Sequence, residues 1–129
     1  MKNDISLGGL ALVAALLVIA FPVQAQEAEV SYKADIHPIL HDYCLSCHQP
    51  GGKGYEASGL DMTTYKSLMK GTKFGSVIKP GDSFTSVLIQ LVEGRAHASI
   101  KMPLGMEGGL SKKNINLLKK WVDQGAKEN

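Results

Sequence analysis

The sequence predicts an all-α domain. No stretch alternates apolar and polar residues over more than four positions, and apolar residues recur instead at helical spacing. Glycine, proline and small polar residues fall where such helices would begin and end. At 129 residues the chain is long enough for one domain and too short for two, and no internal repeat divides it. Three to four short helices separated by long loops are expected.

The first 25 residues stand apart from that domain. Lys2 supplies a weak positive start, and the 19 residues from Ile5 to Val23 carry no charge. Val23-Gln24-Ala25 fits the small-x-small pattern of signal peptidase, so residues 1–25 read as a cleaved signal peptide. The alternative is an uncleaved membrane anchor, because 19 apolar residues just span a bilayer. Either way the remainder is expected to be periplasmic or secreted. Removing residues 1–25 takes away Lys2 and Asp4 and leaves the net charge at +2, too mild for a nucleic-acid partner. Lys112, Lys113, Lys119 and Lys120 read as a solvated helix face.

Residues 26–34 read as a polar lead-in, and residues 35–126 as the domain. In "DIHPILHDYC" Ile36, Leu40 and Tyr43 fall on one helical face, with Asp35 as N-cap and Pro38 in the first turn. "QPGGKGYEASG", residues 49–59, reads as loop, having four glycines, a proline and no apolar period. A short helix is expected around residues 64–69, stopped by Gly71. Asp82 or Ser83 then caps a helix whose stripe is Phe84, Val87, Leu88 and Leu91, ended by Gly94. Residues 95–110 are irregular, and a loop of that length in a small domain usually carries function. Ser111 caps the last helix, which turns Ile115, Leu118 and Val122 inward, with Leu117 and Trp121 widening that face. Gly125 stops it.

The chemistry concentrates at "DYCLSCHQP", which holds both cysteines of the chain. A zinc site would need a second spaced pair of ligands, and no second Cys-x-x-Cys exists. A redox dithiol belongs at a strand-to-helix junction, for which the sequence offers no strands. A disulfide between Cys44 and Cys47 would close a very short loop and stabilise little. Cys-x-x-Cys-His is the pattern of covalent c-type haem attachment. Two thiols three residues apart reach the two vinyl groups along one haem edge, and the adjacent His48 comes under the iron as proximal axial ligand. Attachment made outside the cytoplasm agrees with export. One haem c per chain is expected, held by Cys44 and Cys47.

The order of blocks "DIHPILHDYCLSCH", "SGLDMTTYKSLMKG", "IKPGDSFTSVLIQLVEG", "KMPLG" and "LSKKNINLLKKWVDQGA" resembles that of small monohaem class I-like c-type cytochromes. It is most similar to the planctomycete-type cytochrome c domains, over about residues 35–126. The resemblance implies a cytochrome c-like fold, with N- and C-terminal helices crossing beside one covalently bound haem and a distal loop delivering a methionine.

The sixth iron ligand has several candidates: Met62, Met69, Met102 and Met106, with His37, His41 and His97. Met69 sits at an apolar helix position, and Met62 lies beside a turn where packing suits it. Met102 precedes Pro103, which stiffens the loop around it, and the family carries its ligand methionine in a Met-Pro pair. This chain continues Met-Pro-Leu where the family often has Met-Pro-Pro. Met102 is therefore expected as the distal axial ligand, so that His48 and Met102 hold the metal, with His97 and Met106 as alternatives. Arg95 is a candidate partner for a haem propionate. Leu40, Leu60, Leu68, Phe74, Ile78, Leu88, Leu91 and Trp121 are the expected pocket wall.

The expected function is single-electron transfer between redox partner proteins, a dehydrogenase on one side and an oxidase or reductase on the other. Scattered lysines would steer an acidic partner. Two alternatives stay open: a permanently bound haem subunit of an oxidoreductase, and a five-coordinate gas-binding haem protein. No catalytic residue is expected, and contact with a membrane only if the N-terminal segment is retained.

Overall fold

The computed structural model describes residues 27–129. The signal peptide or anchor read in residues 1–25 lies outside them. The described residues form an all-α unit without named strands: α1 His37–Tyr43, α2 Lys53–Ser58, α3 Tyr65–Lys70, α4 Val87–Glu93 and α5 Lys112–Asp123. A π-helical turn, Tyr32–Ile36, runs directly into α1, and a 3-10 turn at Ala98–Ile100 interrupts the long loop before α5.

Helical structure begins three residues earlier than the expected cap at Asp35. Ser31 is the N-cap, and its hydroxyl accepts from the Ala34 N–H at 3.1 Å. Asp35 reaches back from inside the turn to accept the Ser31 N–H at 2.9 Å. The Ser31 carbonyl accepts from both Asp35 and Ile36, which widens this turn to the π form. Within the segment read as a polar lead-in, Val30 and Tyr32 are both buried in the core. Tyr43, expected to face inward, is 36% exposed, because α1 stops there and the chain turns at Cys44.

Two elements obey their local chemistry closely. α3 opens on a reciprocal cap, in which Thr64 Oγ1 accepts the Ser67 N–H and Ser67 Oγ accepts the Thr64 N–H. It ends at Gly71, whose φ of 83° and close approach to the Gly75 carbonyl exclude any side chain. α5 opens on Ser111, which accepts the Asn114 N–H, and buries Leu118, Trp121 and Val122.

α4 departs from expectation. Asp82 spends its carboxylate on the N–H and hydroxyl of Thr85, which closes a separate turn, and the helix starts only after Ser86. The register moves accordingly: Leu88, Ile89 and Val92 are buried, while Phe84 and Val87 are exposed. Phe84 lies instead against the Arg95 guanidinium, 4.9 Å from ring centre to Cζ.

The core joins the two ends of the chain. α5 packs on the π turn and on α4, with Tyr32 and Trp121 ring centres 5.6 Å apart. Gln124 and Asn129 accept the Val30 and Tyr32 N–H groups at 2.8 and 2.7 Å, and the Asn129 carbonyl accepts that of Lys33. Trp121 donates its indole N–H to the Lys127 carbonyl at 2.9 Å.

Candidate functional site

The Cys-x-x-Cys-His stretch lies where α1 unwinds. Cys44 caps α1, and its carbonyl accepts the N–H groups of both Cys47 and His48, folding the five residues into one tight turn. The last two carbonyls of the motif are engaged by residues 55 and 62. That of Cys47 accepts from Tyr55 at 2.9 Å, and that of His48 accepts from Met62 at 2.8 Å. The motif is thus fixed by α1 on one side and by residues 52–62 on the other.

Both thiols are free. Cys44 is buried and joins the hydrophobic core, whereas Cys47 is exposed. Burial pushes the Cys44 thiol up to about 11, with Cys47 adding to the effect. His48 is 8% exposed, and burial holds its pKa below the ordinary value, partly offset by the Leu60 carbonyl. Its imidazole is therefore neutral at pH 7, with one nitrogen lone pair available. Nδ1 has no hydrogen-bond partner although it is buried. A buried imidazole with an unpaired nitrogen, beside two free thiols, is an arrangement that a bound group would complete.

α2 departs from the sequence reading, in which residues 49–59 are loop. It buries no residue and so shows no apolar period, and it is held by the Tyr55 N–H bond to Cys47 and by Gly59 at its end. Gly54 lies on the His48 ring: a Cβ there would come within 2.6 to 2.9 Å of three ring atoms. Nothing in a one-dimensional pattern signals this contact.

The candidates for a distal ligand separate by environment. Met102 is half-buried and packs on the core that includes Cys44, with its N–H bonded to the Leu91 carbonyl at 3.1 Å. Met106 is 41% exposed. His97 is exposed and caps the Ala98–Ile100 turn, its Nδ1 accepting the Ser99 N–H. Met62 is buried and Met69 half-buried, both packed in the core. His37 and His41 are exposed, with ring centres 6.3 Å apart. Arg95 pairs with Glu93.

Of the expected pocket wall, Leu40, Leu60, Leu68, Ile78, Leu88 and Trp121 are buried and Leu91 is half-buried. Phe74 is not part of it. The chain doubles back between Thr72 and Gly75, each N–H bonded to the other's carbonyl, and this turn leaves Phe74 82% exposed at its tip. No helix among the described residues is long and apolar enough to cross a membrane.

Residues 44–103 match a family model described as planctomycete cytochrome C. No curated protein and no solved structure matches the chain. The matched stretch opens on the first cysteine of the motif and closes on the proline after Met102. With the all-α architecture, this match supports a cytochrome c-type domain, similar over those residues to the planctomycete cytochrome C family, and such a domain implies haem c.

Proposed function

We propose that this protein is an exported monohaem c-type cytochrome that passes single electrons between redox partner proteins. The observation that carries the reading is the buried imidazole of His48, its Nδ1 without a hydrogen-bond partner, in a Cys-x-x-Cys-His turn whose two thiols are unpaired.

The residues present fit the group. The thiols of Cys44 and Cys47 would each add sulfur and hydrogen across a vinyl group, forming two thioethers with no atom lost. His48 would offer its imidazole nitrogen to the haem iron, and its burial would keep competing water away. Met102 would supply the distal thioether, a soft ligand that favours the reduced iron. Its half-buried position and the Leu91 hydrogen bond support it over the exposed Met106 and over His97, which is engaged in its own turn. Haem, when bound, supplies the one-electron Fe(III)/Fe(II) couple, and the chain supplies tethering, ligands and a low-dielectric surround. Leu40, Leu60, Leu68 and Leu88 supply apolar packing in the same core.

Expression with a cytochrome c maturation system tests this directly. The expected product keeps its haem after acid–acetone extraction and shows, when oxidised, the weak far-red band of methionine-ligated ferric haem. Met102→Ala is expected to lose that band and Met106→Ala to keep it. A protein that matures without covalent haem and joins Cys44 to Cys47 in a disulfide would end the proposal. Retention of the band in Met102→Ala would remove only the ligand assignment.

A further inference from the structure

α2 poses a question that packing does not answer, since a six-residue helix burying none of its residues gains little from the core. At its far end the Ser58 carbonyl accepts the Lys73 N–H, but the attachments of its first turn lead to the motif. Gly52, its N-cap, lies so close to the chain that a Cβ would collide with the Cys47 carbonyl oxygen. The N–H of Tyr55, in the first turn of the helix, bonds to that same carbonyl. Between them Gly54 faces the His48 ring, where a Cβ would lie 2.6 Å from Cε1, 2.8 Å from Nδ1 and 2.9 Å from Nε2. Approach to three atoms of one ring means that the helix backbone lies across the imidazole rather than touching its edge. Contacts this short are essentially never made by a real Cβ, and the ring is itself buried.

We infer that Gly54 is a positioning residue for the His48 imidazole: the bare backbone of α2 lies on the ring, sets its plane and keeps water from it. The inference rests on the haem reading only for its consequence, namely that the plane so set is the plane of the proximal ligand. The contact itself belongs to the protein chain.

Ordinary helix chemistry makes the opposite prediction, which gives the test its force. Gly54 has no left-handed φ, so Gly54→Ala would stabilise an unobstructed helix. The contact predicts instead that Gly54→Ala lowers the Tm of the holoprotein by about 5 °C. It also predicts displacement of the paramagnetically shifted His48 ring resonances in the ferric NMR spectrum. Ala57→Gly is the control, since Ala57 is exposed on the same helix: it weakens α2 and leaves the ring resonances in place. A higher Tm with unmoved ring resonances in Gly54→Ala would overturn the inference, as would equal displacement in Ala57→Gly. Should Gly54→Ala fail to mature, the wild-type holoprotein decides, because nuclear Overhauser effects from the Gly54 α-protons to the His48 ring are required. Their absence overturns the inference. If the wild type takes up no haem, the haem reading fails alone, and the same Overhauser contact in the haem-free chain still tests the position of Gly54.

Discussion

Two tyrosines in one cluster have opposite hydrogen-bond accounts. Tyr32 and Tyr65 meet edge to face with ring centres 5.2 Å apart. Tyr65 donates its hydroxyl to the Ala126 carbonyl at 2.7 Å, while the buried Tyr32 hydroxyl has no partner. A buried unpaired hydroxyl carries its desolvation cost with nothing to offset it, whereas a paired one contributes about 1 kcal/mol. Tyr65→Phe is therefore expected to destabilise the protein by about 1 kcal/mol, and Tyr32→Phe to leave stability unchanged or raise it. Urea unfolding of the two variants checks the pair, and a larger loss in Tyr32→Phe would show that its hydroxyl is satisfied. The cysteines show a similar asymmetry, since Cys44 is an interior residue and Cys47 a surface one. Equal spacing in the sequence does not mean equal environment.

Helices in this domain are too short to be stable alone, so the links between them matter more than propensity. Glu93 ends α4 and accepts from Lys119 of α5 at 2.6 Å and from Arg95. The Lys119 hydrogen bond is the main reason its pKa lies below the ordinary 4.5, with burial opposing and Arg95 assisting. A lowered carboxylate pKa adds stability that is complete above about pH 4.5 and disappears as acidification passes through the lowered value. Both partners are partly solvated, so the contribution is at most about 1 kcal/mol. Glu93→Gln is expected to be less stable than wild type at pH 7 by that amount, and the gap is expected to shrink as acidification passes through the lowered value. Unfolding curves at pH 7 and in acid test this, and a gap that persists in acid would mean that the side chain acts by packing.

At the scale of the molecule, closure comes from residues nearly a hundred positions apart. Gln124 accepts the Val30 N–H and donates to the Ala28 carbonyl, while Asn129 accepts the Tyr32 N–H. These bonds hold residues 28–33 against α5 and so place Tyr32 on Trp121. Gln124→Ala with Asn129→Ala is expected to cost about 1 to 3 kcal/mol and to expose residues 27–31 to proteolysis under native conditions. Unchanged protease resistance would show that side-chain packing alone retains the segment. The same closure explains why a chain with few aromatics forms a core, because Tyr32, Tyr65 and Trp121 are gathered at this one junction.

Local features were the ones within reach of the amino-acid order alone. The cap at Ser111, the stop at Gly71 and the inward stripe of α5 depend on residues three or four apart, and they stand in the structure as read. The Cys-x-x-Cys-His motif was legible for the same reason, its chemistry lying within five consecutive positions. Tertiary structure settled whatever depends on residues brought together from a distance. It drew Val30 and Tyr32 out of an apparent lead-in, left Phe74, Phe84 and Val87 at the surface, and buried Met102 more deeply than Met106. It also produced α2, which has no apolar face to announce it and exists in its place because two glycines let its backbone lie on Cys47 and His48. Periodicity records which face of a helix is buried; it cannot record a helix whose partner is a single ring, reached through the absence of a side chain.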